Sequence, residues 1–252
     1  MSGGVAIVTG AATGLGRAIS EKLAADGFAV AVTDIDQEGA VGVAEAISAA
    51  GNRARAWALD VRDSAAIGAT FTAIAAGLGT PTALVNNAGI YPSHTLLEMP
   101  ESAWDAVLDT NLKGPMVCAQ VFARQRVAAG GGGAIVNIAS TAAFSSRVGA
   151  GHYCTSKAGL VMLTKCLAQE LGPHRIRVNA VAPGLIEVEG ERVSAAYKQN
   201  FLPMIPFGRV GQPDDVARVV AFLASDQADF VTATCVPVDG GFLAGRALIR
   251  AG

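Results

Sequence analysis

Short apolar runs and longer segments of helical period alternate along almost the whole chain, and this alternation restricts the possible fold more than any other feature. Runs readable as buried strands lie at 5–8, 29–33, 54–59, 83–86, 134–139, 177–182 and 234–238. Helical segments lie between most of them, near 15–26, 38–50, 64–77, 102–128, 153–171 and 214–224. Strands joined through helices pair in parallel. The pattern predicts a single doubly wound α/β domain over 1–252, with a central parallel sheet flanked by helices. Ligands of such sheets sit at the carboxyl ends of the strands. Thr9, Asp34, Asp60, Asn86 and Ser140 all fall at or just after those ends.

Composition agrees. Hydrophobic residues make up 51% and charged residues 16% of the 252, as suits a sheet covered on both faces and buried subunit interfaces. The net charge of −2 gives no electrostatic case for nucleic acid or an anionic membrane. No stretch approaches the roughly 20 apolar residues of a membrane span, and the opening Met-Ser-Gly-Gly begins no secretion signal. Cys118, Cys154, Cys166 and Cys235 form no Cys-x-x-Cys pair, so no metal or disulfide framework is expected. They read as reduced thiols of a cytoplasmic protein.

The first strand runs into Thr9, Gly10, Ala11, Ala12, Thr13, Gly14, Leu15 and Gly16, and then into a helix with Ile19 and Leu23 at helical spacing. Glycines in a strand–turn–helix let the backbone approach a pyrophosphate held at the positive helix N-terminus. The spacing is Gly-x-x-x-Gly-x-Gly, unlike the usual Gly-x-Gly-x-x-Gly, and a lone glycine-rich turn is weak evidence. The second strand ends in Asp34 followed by Ile35. A carboxylate there accepts hydrogen bonds from ribose hydroxyls and repels a 2′-phosphate, so it favours NAD over NADP. No Arg or Lys among residues 33 to 37 reverses that preference.

Tyr153 and Lys157 stand four residues apart, with Ser140 thirteen residues before Tyr153. Residues i and i+4 on a helix share a face, about 6 Å apart along the axis. An ammonium beside a phenol favours the phenolate, which otherwise forms near pH 10. Such a tyrosine can take a proton from an alcohol or give one to a ketone. Alone, Tyr-x-x-x-Lys is common and also marks ordinary amphipathic helices.

Taken together and in order, these motifs resemble the short-chain dehydrogenase/reductase family over almost the whole length. The resemblance implies a Rossmann-type fold, an NAD cofactor, and oxidation or reduction at a secondary alcohol or ketone. It implies that Asp60 and Val61 border adenine, and that Asn86, Asn87, Ala88 and Gly89 stabilise the central sheet and line the cofactor. It implies that Asn111, Ser140, Tyr153 and Lys157 are catalytic, that Pro183 and Gly184 turn beside the nicotinamide, and that Asp239, Gly240 and Gly241 form the family's ending. The chain departs from the family at Val188, where a threonine often contacts the carboxamide. Valine has no hydroxyl to offer, but backbone near Ile186 can still hold that group.

Residues 185–212 are the least regular region and read as a substrate lid, with a short helix within 191–200. Substrate candidates are Ala142, His94, Arg147 and Glu187. Glu189 lies in the same loops, and solvated positions are the commoner fate of loop charges. His152 is expected to point about 100° from Tyr153 on the helix. The functions in competition are an NAD-dependent dehydrogenase of a sugar, polyol or hydroxy acid, a 3-oxoacyl thioester (acyl-carrier-protein) reductase, and a non-catalytic NAD-binding sensor or scaffold. The resemblance also implies a homo-oligomer, a dimer or tetramer, pairing through the helices near 102–128 and 153–171.

Overall fold

Branched side chains in β1 (Val5–Thr9) and β2 (Ala29–Asp34) favour extended backbone. They alternate across the sheet. Ala6, Val8, Val30 and Val32 enter one core layer, whereas Val5, Ile7, Ala29 and Ala31 enter the other. The computed structural model describes residues 3–188 and 195–245. It adds β3 (Ala54–Ala58), β4 (Pro81–Asn86), β5 (Gly133–Ile138), β6 (Ile176–Pro183) and β7 (Cys235–Val238). Each strand begins within two residues of its apolar run. The seven form one sheet in the order β3-β2-β1-β4-β5-β6-β7, with neighbours parallel throughout. This is the doubly wound, Rossmann-like architecture the alternation predicts.

The first layer is closed by α1 (Gly14–Ala25), α2 (Gln37–Ala49) and α8 (Pro213–Ala224), through Ile19, Leu23, Val43, Ile47, Val216 and Val220. The second is closed by α3 (Ser64–Leu78), α5 (Gly114–Ala128) and α6 (Gly151–Leu171), with Ile67, Phe71, Ile74, Phe122 and Ala168. Strand order reverses between β1 and β4, so the loops after those strands part and leave a crevice.

The segment expected as one helix over 102–128 is broken. It consists of α4 (Glu101–Leu108), a π-helical turn (Asp109–Lys113) and α5. The cause is Pro115. It has no N–H, and in a continuous α-helix its ring would strike the carbonyl four residues back, that of Asn111. A widened turn removes the clash and sets Asn111 inward, fully buried.

A buried polar ladder fixes α6 against the sheet. Asn86 Nδ2 donates to Asn137 Oδ1 at 2.9 Å, and Asn137 Nδ2 donates to Thr164 Oγ1 at 2.9 Å. Thr164 lies seven residues after Lys157, two turns along the same face. The 185–212 connection is pinned at its ends, where Glu187 N donates to Gly211 O at 2.8 Å and Gly211 N donates to Leu185 O at 2.9 Å. Within it, α7 (Ala195–Phe201) realises the expected short helix, whose earlier part lies outside the described residues. No helix among the described residues is long and apolar enough to cross a membrane.

Candidate active site

The glycine turn, the ends of β2, β4, β5 and β6, and the N-terminal half of α6 surround one cavity of about 1580 Å³. Gly10, Thr13, Gly14, Leu15, Gly16, Asp34, Ile35, Asp60, Val61, Asn87, Ala88, Gly89, Pro183, Gly184 and Ile186 all border it. So do Ser140, Ala142, Arg147, Tyr153 and Lys157. Residues spread over 177 positions of sequence are thus brought to one wall.

The chemistry of the turn suits an anion. Thr13 caps α1 without a side-chain hydrogen bond, and the first turn carries no acid. The helix therefore keeps its unfilled N–H groups and positive end for whatever enters beside Gly14 and Leu15. Gly10 has a φ of +63°, and a Cβ there would stand 2.7 Å from Ala88 Cα. Backbone from β1 and β4 meets at that point, and only glycine fits. Asn87 seals the junction, donating from Nδ2 to Thr9 O at 2.9 Å and Gly10 O at 2.7 Å.

Asp34 is held by backbone. Its Oδ2 accepts from Ala12 N and its Oδ1 from Asp36 N, each at 2.9 Å. A carboxylate has about four acceptor sites, so capacity remains for two hydroxyls. Asp60 is clamped by Arg62, whose guanidinium holds the carboxyl below its usual range.

At the other end, Lys157 is buried and its Nζ donates to Ile138 O at 2.7 Å. Burial pulls its pKa down to about 8. Nζ lies 5.7 Å from the centroid of the Tyr153 ring, and the Tyr91 ring meets Tyr153 edge-on at 6.1 Å. Ser140 Oγ accepts from Ala142 N at 3.1 Å. Asn111 lies behind this wall. Its Oδ1 accepts from Ile90 N, its Nδ2 donates to Ile90 O, both at 2.8 Å, and Nδ2 also reaches Ser156 Oγ at 3.3 Å. A Cβ on Gly89 would come within 3.2 Å of Asn111 Oδ1 and 3.6 Å of Lys157 Nζ, so the three groups converge.

Ser156 was missed by sequence reasoning. Its Oγ donates to Tyr153 O at 2.8 Å while meeting Asn111, joining α6 to the π turn. Its place three residues after Tyr153, on the same face, was the available signal.

Two substrate candidates, Glu187 and His94, do not border the cavity. Glu187 is turned to an ion pair with Lys198 and a contact from Gln212 Nε2 at 3.4 Å, which together fasten α7 and the start of α8. His94 packs its ring edge-on against His152 at 6.0 Å. His152 is buried; its Nδ1 accepts from Tyr153 N at 2.9 Å, and burial with His94 nearby lowers its pKa. Glu189 lies outside the described residues. Val188 packs over the glycine turn, its Cγ1 2.9 Å from where a Gly14 Cβ would stand. No group of metal-binding residues occurs among those described.

The depressed Lys157 pKa carries a stability consequence. Folded Lys157 releases its proton near pH 8, whereas an unfolded lysine keeps it to 10.5. Between those values the unfolded chain holds more protons, so folding strengthens as pH rises. Cys118 and Cys235, pushed up to about 12 and about 11 by burial, act oppositely above pH 9. Comparison with Lys157→Met isolates the lysine. From pH 8 to pH 10 the wild type is expected to gain urea resistance relative to the variant. A constant gap would mean that Lys157 does not titrate there.

A family model described as Enoyl-(Acyl carrier protein) reductase matches residues 10–243. The chain is 39% identical to the (3R)-3-hydroxyacyl-CoA dehydrogenase of Rattus norvegicus over 246 residues, 94% of this chain and 95% of that one. It is 40% identical to the 3-oxoacyl-(acyl-carrier-protein) reductase of Staphylococcus aureus over 242 residues, 94% and 96% of the two chains. Among solved structures, a short-chain type dehydrogenase/reductase from Mycobacterium marinum superposes with a TM-score of 0.93 at 35% identity, covering 97% of each chain.

Proposed function

The chain belongs to the short-chain dehydrogenase/reductase family, and from that premise we propose that it is an NAD-dependent oxidoreductase that interconverts a secondary alcohol and its ketone. One observation carries this reading. Ser140, Tyr153 and Lys157 border the same cavity as the bare N-terminus of α1 and the Asp34 carboxylate.

When bound, the nicotinamide supplies the hydride acceptor for oxidation and the donor for reduction. The chain's own residues handle the proton and the geometry. Tyr153, as phenolate, takes the hydroxyl proton of the alcohol at its Oη and returns it in the reverse direction. Lys157 favours that phenolate by Coulomb attraction from within a dry wall, where a charge acts more strongly than in water. Ser140 spends an Oγ lone pair on Ala142 N, which leaves its hydroxyl hydrogen for the substrate oxygen. Asn111 is buried behind Gly89 and Lys157, and this suits it to hold a water between Lys157 and solvent. Gly14, Leu15 and Gly16 would receive the pyrophosphate, Asp34 the adenosine ribose, and Asp60 with Val61 the adenine edge. Pro183, Gly184 and Ile186 would border the nicotinamide.

Asp34 supports NAD over NADP, since a 2′-phosphate would meet a carboxylate. Asp34→Ser combined with Ile35→Arg is expected to shift the kcat/KM ratio toward NADP+ by at least about tenfold, the worth of one charge-assisted hydrogen bond. An unchanged ratio would remove Asp34 from cofactor choice.

A second reading, 3-oxoacyl thioester reduction, is favoured by the names of the relatives at 39–40% identity. Four free cysteines support a reducing, cytoplasmic setting. Exposed Met162 on α6 and Val127 on α5 support pairing of subunits through those helices. The test is absorbance at 340 nm with sugars, polyols, hydroxy acids and 3-hydroxyacyl thioesters, with NAD+ and NADP+ in parallel. NADH formation with one alcohol class is expected. A signal with NADP+ alone would overturn the cofactor assignment and favour the thioester reading.

A further inference from the structure

We propose that Arg147 reads an anionic group on the substrate, and that the substrates are hydroxy or oxo acids with an apolar body. The inference rests on the oxidoreductase reading and narrows it to one substrate class.

Three cations border the cavity among the described residues, and two are committed. Arg62 is clamped on Asp60, and Lys157 donates to the Ile138 carbonyl. Arg147 has no acidic partner among the described residues. The two acids on the cavity wall, Asp34 and Asp60, both belong to its far end, after β2 and β3. Ser140 follows β5, three strand spacings from β2 in the sheet order, or about 14 Å. That exceeds the roughly 8 Å screening length of physiological salt. Those two carboxylates therefore do little to screen a cation near Ser140.

The backbone of Arg147 is held in place. Its carbonyl accepts from Ala150 N at 3.1 Å, and the neighbouring Gly149 carbonyl accepts from His94 N at 2.9 Å. The loop is thus tied to the segment that carries Tyr91. The side chain itself is exposed, and its guanidinium can offer a carboxylate a two-pronged contact.

Ser145, Ser146 and Asn200 also border the cavity, and beside them lies an aromatic and aliphatic surface. Phe201 of α7 stacks on Phe242 at 4.9 Å with the rings 19° apart, and both border the cavity with Tyr91, Met204 and Leu185. A hydroxyl laid on the aromatic faces would find no partner there, at a cost in affinity. An alkyl or aryl body gains by covering them.

The same chemistry, an anion some atoms from the carbinol carbon, occurs in a free carboxylate and in the phosphate of a thioester handle. Calorimetric titration separates them without turnover. The probes are 4-phenylbutyrate, its uncharged amide, and pantetheine phosphate, titrated into wild type, Arg147→Gln and Arg147→Lys, with and without NADH. The acid is expected to bind the wild type at least about tenfold more tightly than the amide. Arg147→Gln should lose that preference, Arg147→Lys should keep part of it, and amide affinity should stay constant, which shows an intact cavity. Equal affinities in the wild type, or an acid preference that survives Arg147→Gln, would overturn the proposal. Dependence on Arg147 for pantetheine phosphate alone would overturn the free-acid class. Failure of every alcohol to reduce NAD+ would instead overturn the oxidoreductase reading, whatever the acid does.

Discussion

Tyr153→Phe protein is expected to turn over about a thousandfold more slowly than the wild type while binding NADH equally well. General acid–base groups contribute roughly 10²- to 10⁴-fold, and the substitution removes only the oxygen that would carry the proton. The phenylalanine ring keeps the edge contact with Tyr91 and the place of residue 153 on α6. Lys157 retains its bond to the Ile138 carbonyl. The check pairs single-turnover kinetics with NADH calorimetry. Near-normal turnover would remove Tyr153 from proton transfer. A parallel loss of NADH affinity would assign it to the cofactor instead.

Gly16→Ala tests the cofactor end, and here two effects oppose each other. Gly16 lies in the first turn of α1, where alanine is the better helix former by about 1 kcal/mol. A Cβ at this position would stand 2.0 Å from Gly10 O and 2.8 Å from Ala11 Cα. Both atoms belong to backbone, which cannot swing aside as a side chain can. Overpacking of this kind costs about 1–3 kcal/mol or more, and it exceeds the gain in helix propensity. The strain falls on the turn that would receive the pyrophosphate. A lower urea midpoint and NADH binding weakened about a hundredfold are expected, read by denaturation and calorimetry. Unchanged affinity would mean that the turn can shift without consequence and is no cofactor cradle.

Much of this architecture was legible in the sequence, for a physical reason. A parallel sheet covered on both faces needs near-continuous apolar runs, and those runs locate the seven strands directly. The cavity wall around the glycine turn was legible because glycine spacing and strand-end carboxylates act locally. The break at Asp109–Lys113 was not, because period counting cannot detect one inserted residue; Pro115 was the sign. β4 begins at Pro81, earlier than its apolar run, since a proline is tolerated at a strand's first position. The partners of Glu187 and His94 were not legible because a loop side chain's partner is a tertiary fact. Lys198 lies eleven residues from Glu187, and His152 lies on another element altogether. Ser156 was hidden by its neighbours, Tyr153 and Lys157, whose chemistry draws attention first.

With a nicotinamide held in the cavity to supply the hydride acceptor, Tyr153 would handle only the proton of the alcohol. The measurement that tests it most directly uses an oxidisable secondary alcohol deuterated at the carbinol carbon, with NAD+, and follows the label by mass spectrometry. Deuterium is expected in the NADH, with a rate below that of the unlabelled alcohol and a transfer slowed about a thousandfold in Tyr153→Phe. Deuterium released to solvent would contradict it, because the hydrogen would then have left carbon as a proton.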